Sequence, residues 1–380
     1  MLIETSDVEY FPTAIVGAGC AGLTLAHELI NSKNFPCILL DPHKFRPEHA
    51  FSFWDDGHPH LTLARSLARK TWSKWEIRTF EETIQKSSSR FVYSTVSSSN
   101  YENYLFKTIT ENRGKILNAR ATDLYNTETC IRLETSSRNV VYANRVFDSR
   151  PPTPTKKTIF QHFLGWEIKT NNSVFDETLV TLMDFRVPQE DGFHFIYVLP
   201  YSKTCALIES TVYSDTVFKP KWYENQITKY LTNVIQCKSW DVINKEQGAI
   251  PLNYKKDLKP LGTPIGLNAG AMRTSTGYAF SQIIHQAINV GKQLQQGQNL
   301  VQIKPGATSF ENWMDNVFLD VLSSSPKLAP YVFSTLAKTL SGDDFVKFMI
   351  GDCPLSIKSR IILALPKVDF ILGALRSPFK

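Results

Sequence analysis

The feature that most constrains the fold is a glycine pattern near the N-terminus, in the stretch FPTAIVGAGCAGLTLAHELI at residues 11–30. A short apolar strand there leads into Gly17, Gly19 and Gly22, which have G-x-G-x-x-G spacing, and a helical pattern follows. In such a turn Gly17 permits the tight bend, Gly19 lets the backbone approach a pyrophosphate, and Gly22 lets helix and strand pack closely. Because the helix N-terminus also presents free N–H groups, the stretch predicts a dinucleotide site in a Rossmann-like domain.

Two later segments extend this prediction. The strand CILLD ends at Asp41, where an acidic side chain commonly bonds a ribose hydroxyl in such domains. A second glycine cluster, PIGLNAGAMRTSTGYAFSQIIHQAI at residues 264–288, places Gly266, Gly270 and Gly277 before a helical pattern that begins near Tyr278. Its helix N-terminus could contact a second part of a long dinucleotide such as FAD, although the glycines alone do not distinguish FAD from NAD.

Between the glycine clusters the pattern is mostly that of short strands, among them RFVYSTV, RVFDSRP, TLVTLMDFRV, FHFIYVLPY and CALIESTVY. Helices are predicted at SSSNYENYLFKTITENRG and KWYENQITKYLTNVI. We therefore predict an α/β fold, with a Rossmann-like FAD-binding domain, an inserted antiparallel β-sheet substrate lobe and a helical C-terminal region. The predicted boundaries are residues 1–80, 81–160 and 256–300 for three parts of the FAD-binding domain, 161–255 for the substrate lobe and 301–380 for the helical region.

The composition argues against several classes of protein. The 380 residues carry a net charge of +6, which suits an anionic cofactor or membrane surface and is too small to indicate nucleic-acid binding. The six cysteines form no C-x-x-C pair, so we expect neither a disulfide framework nor a metal site. The N-terminus lacks a signal-peptide pattern and no apolar run approaches about 20 residues. We therefore expect a cytoplasmic protein that does not span a membrane.

The C-terminal segment SIKSRIILALPKVDFILGALRSPFK, residues 356–380, combines apolar helical stripes with basic residues. The basic residues are Lys358, Arg360, Lys367, Arg376 and Lys380. Such a segment can lie in the plane of a membrane interface, or it can pack on the protein core. We predict peripheral membrane association and keep core packing as the alternative.

The strand CALIESTVY, residues 205–213, places Glu209 directly after an apolar run. A carboxyl group there lies either on a solvated strand face or in an apolar pocket with a chemical role. Strand statistics alone favour the solvated face, because charged residues are rarely buried without a partner.

Several longer motifs point to one family. They are HAFSFWDD at 49–56, VFDSRPP at 146–152, QHFLGWEI at 161–168, MDFRVPQ at 183–189, GAIPL at 248–252 and AGAMRTSTGYAF at 269–280. Together with GAGCAGL and IESTVY, this combination resembles the flavin-dependent lycopene cyclases of carotenoid biosynthesis nearly end to end. One departure is Thr274, which stands where that family usually has proline.

The resemblance implies an acid–base isomerisation that closes the acyclic ends of lycopene into β-ionone rings without net redox. It implies reduced FAD as the group that stabilises a cationic intermediate, NAD(P)H as the reductant of FAD, and a membrane surface as the source of lycopene. It also implies that Glu209 is the proton donor, in an apolar tunnel that raises its pKa. Asp184 is the second acidic candidate. Together with Arg186 it either lines the flavin or orients the acid, or the two residues form a structural ion pair.

The remaining candidates surround these groups. His49, Phe51 and Trp54 are predicted to border the flavin, Asp148 and Arg150 to lie near the cofactor, and Phe193, Phe195 and Tyr197 to line the tunnel. Core packing explains the aromatic residues equally well.

The same scaffold also supports other functions. The alternatives are an FAD-dependent monooxygenase, a prenyl-chain reductase or a carotenoid-binding flavoprotein without catalysis. Aromatic hydroxylases of this architecture usually carry an acid after the glycine of their second motif, whereas Leu267 follows Gly266 here. That difference favours the cyclase over the hydroxylase.

Overall fold

A computed structural model describes residues 9–44, 46–254 and 259–377. Its strands are β1 Glu9–Val16, β2 Cys37–Leu40, β3 Ala50–Asp55, β4 Lys70–Trp72, β5 Lys74–Arg78, β6 Thr83–Ser87, β7 Val92–Ser97, β8 Lys115–Leu117, β9 Ala121–Asn126, β10 Ile131–Thr135, β11 Val140–Asp148, β12 Phe160–Thr170, β13 Leu179–Asp184, β14 Phe193–Ser202, β15 Cys205–Ser214, β16 Trp240–Pro251 and β17 Thr263–Pro264. Its α-helices are α1 Cys20–Leu29, α2 Thr62–Ser66, α3 Ser98–Glu111, α4 Pro220–Asn233, α5 Phe280–Gln295, α6 Ser309–Ser324, α7 Ala329–Thr339, α8 Gly342–Ile350, α9 Leu355–Ala364 and α10 Lys367–Arg376.

The first sheet carries the predicted nucleotide fingerprint. Its strand order is β8-β2-β1-β11-β10-β9, with β17 pairing with β11. Strands β8, β2, β1, β11 and β17 are parallel, whereas β10 and β9 are antiparallel to their neighbours. Helix α1 connects β1 to β2 and packs with α3 and α5 over this sheet. This is the βαβ arrangement that G-x-G-x-x-G spacing predicts.

The second sheet is mostly antiparallel, with the order β16-β12-β15-β14-β13-β5-β6. Among the described strands of this sheet, only β13 and β5 pair in parallel. One face packs against α4 through an apolar cluster that includes Ile208, Ile227 and Tyr230. The other face contributes to a larger cluster with the C-terminal helices, in which Phe193 contacts Phe333. A short third sheet, β3-β7-β4, completes the strands.

The predicted fold class is confirmed. The parallel sheet, the mostly antiparallel sheet and the helices from α6 onward match the three predicted parts. The predicted boundaries remain a prediction, and β5 and β6 pair with the second sheet although they precede residue 161. No helix in the described ranges combines the length and apolarity needed to cross a bilayer.

Candidate functional site

The first glycine turn forms a tight cradle between β1 and α1. The N–H of Gly17 donates to the carbonyl oxygen of Leu40 at 2.8 Å, and Gly17 has a φ of 95°, which favours glycine. A Cβ added to Gly22 would lie 2.1 Å from the carbonyl oxygen of Gly17. Glycine is therefore required at position 22, because no side chain fits there between α1 and the end of β1.

Asp41 lies beside this turn at the end of β2, as predicted. Its Oδ2 accepts a hydrogen bond from the N–H of Ala18 at 2.8 Å, and Arg46 donates to the same oxygen. Burial opposes the ionised carboxyl, but hydrogen bonds from the Ala18 and His43 N–H groups and the charge of Arg46 outweigh it, so that the pKa of Asp41 is lowered. Asp41 is thus a fixed anion beside the glycine turn.

Arg46 is a cofactor-site candidate that the sequence analysis missed. A Cβ built on Gly19 would lie 3.1 Å from Nη1 of Arg46, so the guanidinium lies over the N-terminal end of α1. Its ion pairs with Asp41 and with Glu102, the latter at 3.4 Å, hold it there. A cation and a helix N-terminus at one point fit an anionic group such as a pyrophosphate.

The second glycine cluster meets the first, as the FAD prediction requires. A Cβ on Gly266 would lie 2.9 Å from Cβ of Ala21 in α1, and the N–H of Ile265 donates to the carbonyl oxygen of Asp148 at 2.8 Å. Gly266, Gly270 and Gly277 all have positive φ, of 69°, 76° and 66°. The two clusters therefore form one discontinuous cradle.

A largely apolar cavity of about 430 Å³ lies between this cradle and the second sheet. Gly277 and Phe280 line it on the cradle side, and Glu209 and Glu246 on the sheet side. Aromatic side chains form much of the remaining wall, namely Phe51, Tyr93, Phe163, Phe195, Tyr197, Tyr213, Tyr278, Phe333 and Phe345. Such a wall suits a hydrocarbon ligand.

Gln161 supplies a free acceptor in this wall. Its Oε1 is buried and has no hydrogen-bond partner among the described residues. A Cβ on Gly277 would lie only 2.0 Å from that oxygen. Because buried acceptors are usually satisfied, the position fits an N–H group of a bound ligand.

Two carboxyl groups stand together on the sheet side. In the register of the sheet, Gly165 of β12 pairs with Glu209 of β15 on one side and with Glu246 of β16 on the other. Directly opposed residues on antiparallel strands point to the same face, so both carboxyl groups lie over Gly165. A Cβ at Gly165 would lie 3.0 Å from Cδ1 of Leu207 and 3.1 Å from Cγ of Glu246, a tight fit that favours glycine there. The two carboxyl groups share a hydrogen bond.

Burial makes this carboxyl pair unusual. Burial raises the pKa of Glu209, and hydrogen bonds from Thr211 and Glu246 only partly oppose that effect. Burial also raises the pKa of Glu246, and the neighbouring Glu209 carboxylate raises it further, while the Ala50 N–H at 2.7 Å from Oε2 opposes both effects. Two carboxyl groups in contact in an apolar cavity cannot both ionise readily, so the pair retains a proton near neutral pH.

Three tyrosine hydroxyls form a chain beside the pair. Tyr197 pairs with Glu209 across β14 and β15, and its hydroxyl donates to that of Tyr93 at 2.8 Å. The hydroxyl of Tyr278 donates to the same oxygen at 2.9 Å. All three rings line the cavity, and their π faces can stabilise positive charge near the carboxyl pair.

Asp184, the second predicted acid, lies elsewhere. It pairs with Ile196, whereas the cavity residue Tyr197 is the next residue along β14, so Asp184 points to the opposite face of the sheet. Its carboxylate accepts hydrogen bonds from Arg186 at 2.6 Å and from the hydroxyl of Tyr230 at 2.8 Å. The structure thus shows the ion pair that the sequence analysis kept as the alternative.

The other predicted residues divide between the site and the core. His49, Phe51, Phe195 and Tyr197 line the cavity. Trp54 and Phe193 are buried in the apolar core and are not cavity-lining residues. Asp148 lies fully buried at the end of β11, where it pairs with Arg150 at 2.6 Å and accepts the N–H of Leu261. Its carboxyl group therefore fixes the loops behind the cradle.

Glu246 was missed by the sequence analysis because its neighbours are polar. Lys245 and Gln247 flank it, so its surroundings look like a solvated strand. The usable signal was the alternation of Glu246, Gly248 and Ile250 on one face of β16, ahead of a proline, since all three line the cavity.

Several solved structures share this fold. A geranylgeranyl bacteriochlorophyll reductase-like protein of Thermoplasma acidophilum superposes with a TM-score of 0.64 and 13% identity, over 98% of this chain and 100% of that one. A flavoprotein/dehydrogenase of Cytophaga hutchinsonii gives 0.64 and 13%, over 97% and 100%. An HpxO variant of Klebsiella pneumoniae complexed with FAD gives 0.61 and 11%, over 90% and 99%. The chain therefore has the Rossmann-like fold of the FAD-dependent flavoproteins.

Sequence comparisons show the family to which the chain belongs. The family described as lycopene cyclase protein matches residues 13–342, and this chain belongs to that family. The lycopene beta-cyclase of Pseudescherichia vulneris is 27% identical over 284 residues, which cover 70% of this chain and 69% of the relative. That of a Paracoccus species is 30% identical over 151 residues, which cover 37% and 38%. The family resemblance predicted from the motifs is confirmed.

Proposed function

We propose that this protein is a lycopene cyclase that closes the acyclic ends of lycopene into β-ionone rings. The reaction is an isomerisation, in which a terminal double bond gains a proton, a carbon–carbon bond closes the ring, and a neighbouring carbon loses a proton. Membership of the family supports the substrate class, because its curated relatives are named lycopene beta-cyclases. The observation that carries the proposal is the buried carboxyl pair of Glu209 and Glu246 in an aromatic, apolar cavity.

Glu209 is the proton donor in this proposal. An alkene accepts a proton only from an acid that is kept protonated and dry, and burial next to a second carboxyl group provides both conditions. The rings of Tyr93, Tyr197 and Tyr278 line the cavity in which the cation would form. The largely apolar lining of the cavity disfavours water, which would otherwise trap the cation.

FAD is the proposed cofactor, and the cradle fits it. Gly17, Gly19 and Gly22, with the cation of Arg46, suit the pyrophosphate, and Asp41 suits a ribose once Arg46 releases it. The cluster of Gly266, Gly270 and Gly277 adjoins the cavity, where the free oxygen of Gln161 suits a ring N–H. The related fold of HpxO is solved with FAD. Reduced, anionic FAD would supply negative charge that stabilises a nearby carbocation, and we propose NAD(P)H as its reductant.

We also propose contact with a membrane surface, since the substrate is a hydrocarbon that dissolves in bilayers. Helices α9 and α10 expose a series of apolar side chains, namely Leu355, Ile362, Leu363, Val368, Ile371, Leu372 and Leu375. This series, the tail patch, supports the proposal through its apolar area.

The basic edge predicted for this segment contributes less than expected. Lys358, Arg360 and Arg376 form ion pairs with Glu311, Asp344 and Asp320. Lys367 is exposed, and Lys380 lies outside the described residues.

The decisive experiment uses purified full-length protein with lycopene, FAD and NAD(P)H under anaerobic conditions. The expected product has the mass of lycopene and the absorption of a ring-closed carotenoid. Glu209→Gln keeps the size of the side chain but loses the acid, so it should lower ring formation by about 10²-fold or more while FAD binding is retained. A product with two added hydrogens would replace the proposal with a reductase. No anaerobic turnover, with a product that carries an added oxygen atom once air is admitted, would replace it with a monooxygenase. Wild-type turnover by Glu209→Gln would remove Glu209 from the mechanism.

A further inference from the structure

We propose that Glu246 is the general base that removes the final proton and thereby selects the type of ring formed. This inference rests on the proposed function. It starts from the position of Glu246, which lines the cavity, is only 7% exposed and shares a hydrogen bond with Glu209 across Gly165.

Each carboxyl group of the pair has a hydrogen-bond donor of its own. Oε2 of Glu246 accepts the backbone N–H of Ala50 at 2.7 Å, and a backbone N–H can only donate. That contact favours the ionised form of Glu246. Oε1 of Glu209 accepts the hydroxyl of Thr211, and this contact likewise favours the ionised form of Glu209. Each carboxyl group thus has a donor that supports its ionised form, so a single proton can lie on either one. Since Glu209 is the proposed acid, Glu246 is the carboxylate that lies beside it as a base.

The chemistry of the reaction requires such a base. After the O–H of Glu209 has given its proton to the terminal double bond and the ring has closed, the positive charge lies on a ring carbon. Three neighbouring carbons carry protons that can be lost, two within the ring and one in a methyl group. Each loss forms a different double bond, so the place of the base determines the ring isomer.

The pair then restores itself without any other reactant. Glu246 has gained the proton from carbon, and Glu209 has become a carboxylate. Because the two groups share a hydrogen bond, the proton passes from Glu246 to Glu209 and the starting state returns. Protons and electrons balance over the cycle, in agreement with an isomerisation.

The test compares two substitutions in full-length, FAD-loaded protein. Glu246→Gln keeps the side-chain shape but removes the base, so we expect at least about a tenfold fall in β-ring formation and a larger share of other ring isomers among the products. Glu246→Asp keeps a carboxylate, so it should retain the β-ring as the main product at a reduced rate. Product ratios are measured by chromatography and absorption.

Glu167→Gln is a matched control. Glu167 lies two residues from Gly165 on β12 and pairs with Arg69 at 2.5 Å, but it does not line the cavity. Its replacement should leave rate and ring isomer unchanged.

Three outcomes decide the inference. β-rings at the wild-type rate in Glu246→Gln would overturn it, while the proposed function would stand on the Glu209 result. If Glu246→Gln forms no rings, the reaction is repeated in D₂O. Deuterium in the end groups of recovered lycopene would show that the substrate is protonated but that the final proton is not removed, which would support Glu246 as the base. Unlabelled lycopene would place the defect in protonation and overturn the inference.

Discussion

Glu209 and Glu246 stand on strands that are not neighbours, yet their carboxyl groups meet, because the strand between them carries glycine at the shared position. The sheet thus creates a carboxyl pair from residues 37 positions apart in the chain (246 − 209). The pair makes the chemistry and the stability of the protein depend on pH in ways that can be measured.

The first prediction concerns the pH dependence of ring formation. The donor must hold its proton, and burial raises the pKa of both carboxyl groups above the usual glutamate range. Turnover should therefore persist through neutral pH and fall about tenfold per pH unit once the last shared proton is lost. Initial rates across pH 5–10 at saturating lycopene test this. A decline that begins at the pKa of an ordinary glutamate would contradict it.

The second prediction concerns stability. A carboxyl group whose pKa is higher in the folded than in the unfolded protein favours folding at low pH, and this contribution is lost as pH rises from the unfolded to the folded pKa. Glu246→Gln has no carboxyl group at this position, so the variant does not lose this stabilisation as pH rises. The free energy of unfolding of the variant, relative to wild type, should therefore increase between pH 5 and pH 9, by about 1.4 kcal/mol per unit of pKa shift removed. Urea unfolding at both pH values measures it, and a constant difference would refute the assignment.

The third prediction separates Asp184 from the chemistry. Its carboxylate is fully buried and held by Arg186 and Tyr230 on the face opposite the cavity. Asp184→Asn should cost about 3 kcal/mol of stability, since it leaves part of a buried ion pair without its partner. Turnover per folded, FAD-loaded molecule should match wild type. A folded, FAD-loaded variant without turnover would show that Asp184 has a role in the reaction.

The fourth prediction tests the cofactor cradle. Gly19→Val places a branched side chain where the guanidinium of Arg46 lies over the glycine turn, and it blocks the backbone approach that a pyrophosphate needs. The purified variant should lose the yellow flavin absorption. Gly19→Ala is the graded control, because its Cβ would meet only the flexible end of Arg46 at 3.1 Å and should reduce FAD affinity less. Full flavin content in a folded Gly19→Val protein would show that FAD does not bind at this cradle.

The fifth prediction concerns the tail patch. Truncation before α9 would also remove the buried residues Ile357 and Ile361, so point substitutions are the better probe. Leu363, Val368 and Leu375 are 71%, 71% and 74% exposed, and their joint replacement by serine should abolish binding to lipid vesicles at little cost in stability. Leu300→Ser changes an apolar residue that is 90% exposed elsewhere and should bind as wild type does. Equal binding by all three proteins would place the membrane contact on another surface.

The sequence predicted those parts of the fold and site that depend on short segments. The glycine turn, Asp41 and the helix after Gly277 follow from local geometry, and the structure places them as predicted. The position of Glu209 in the cavity followed from the family resemblance, because the strand pattern alone favoured a solvated face.

Long-range pairing explains what was missed. Glu246 joins the site only through the register of β12 with β15 and β16, which no local pattern encodes. Asp184 was placed near the reaction because its motif is typical of the family, but strand alternation turns it to the opposite face. Arg46 reaches Gly19 from a loop, where side-chain direction has no sequence period.

The pairing of β5 with β13 has a consequence for how the chain folds during synthesis. The hairpin of β5 and β6 is complete at residue 87, but the strand that pairs with it begins only at residue 179. Until then an edge of the hairpin has unpaired backbone groups, and the intervening segment contributes β8 to β11 to a different sheet. Closing this parallel pair over so long a separation is a slow event. A ribosome-bound chain that stops before residue 179 should therefore fold the first sheet except for β17, while β5 and β6 remain open to chaperones or to aggregation.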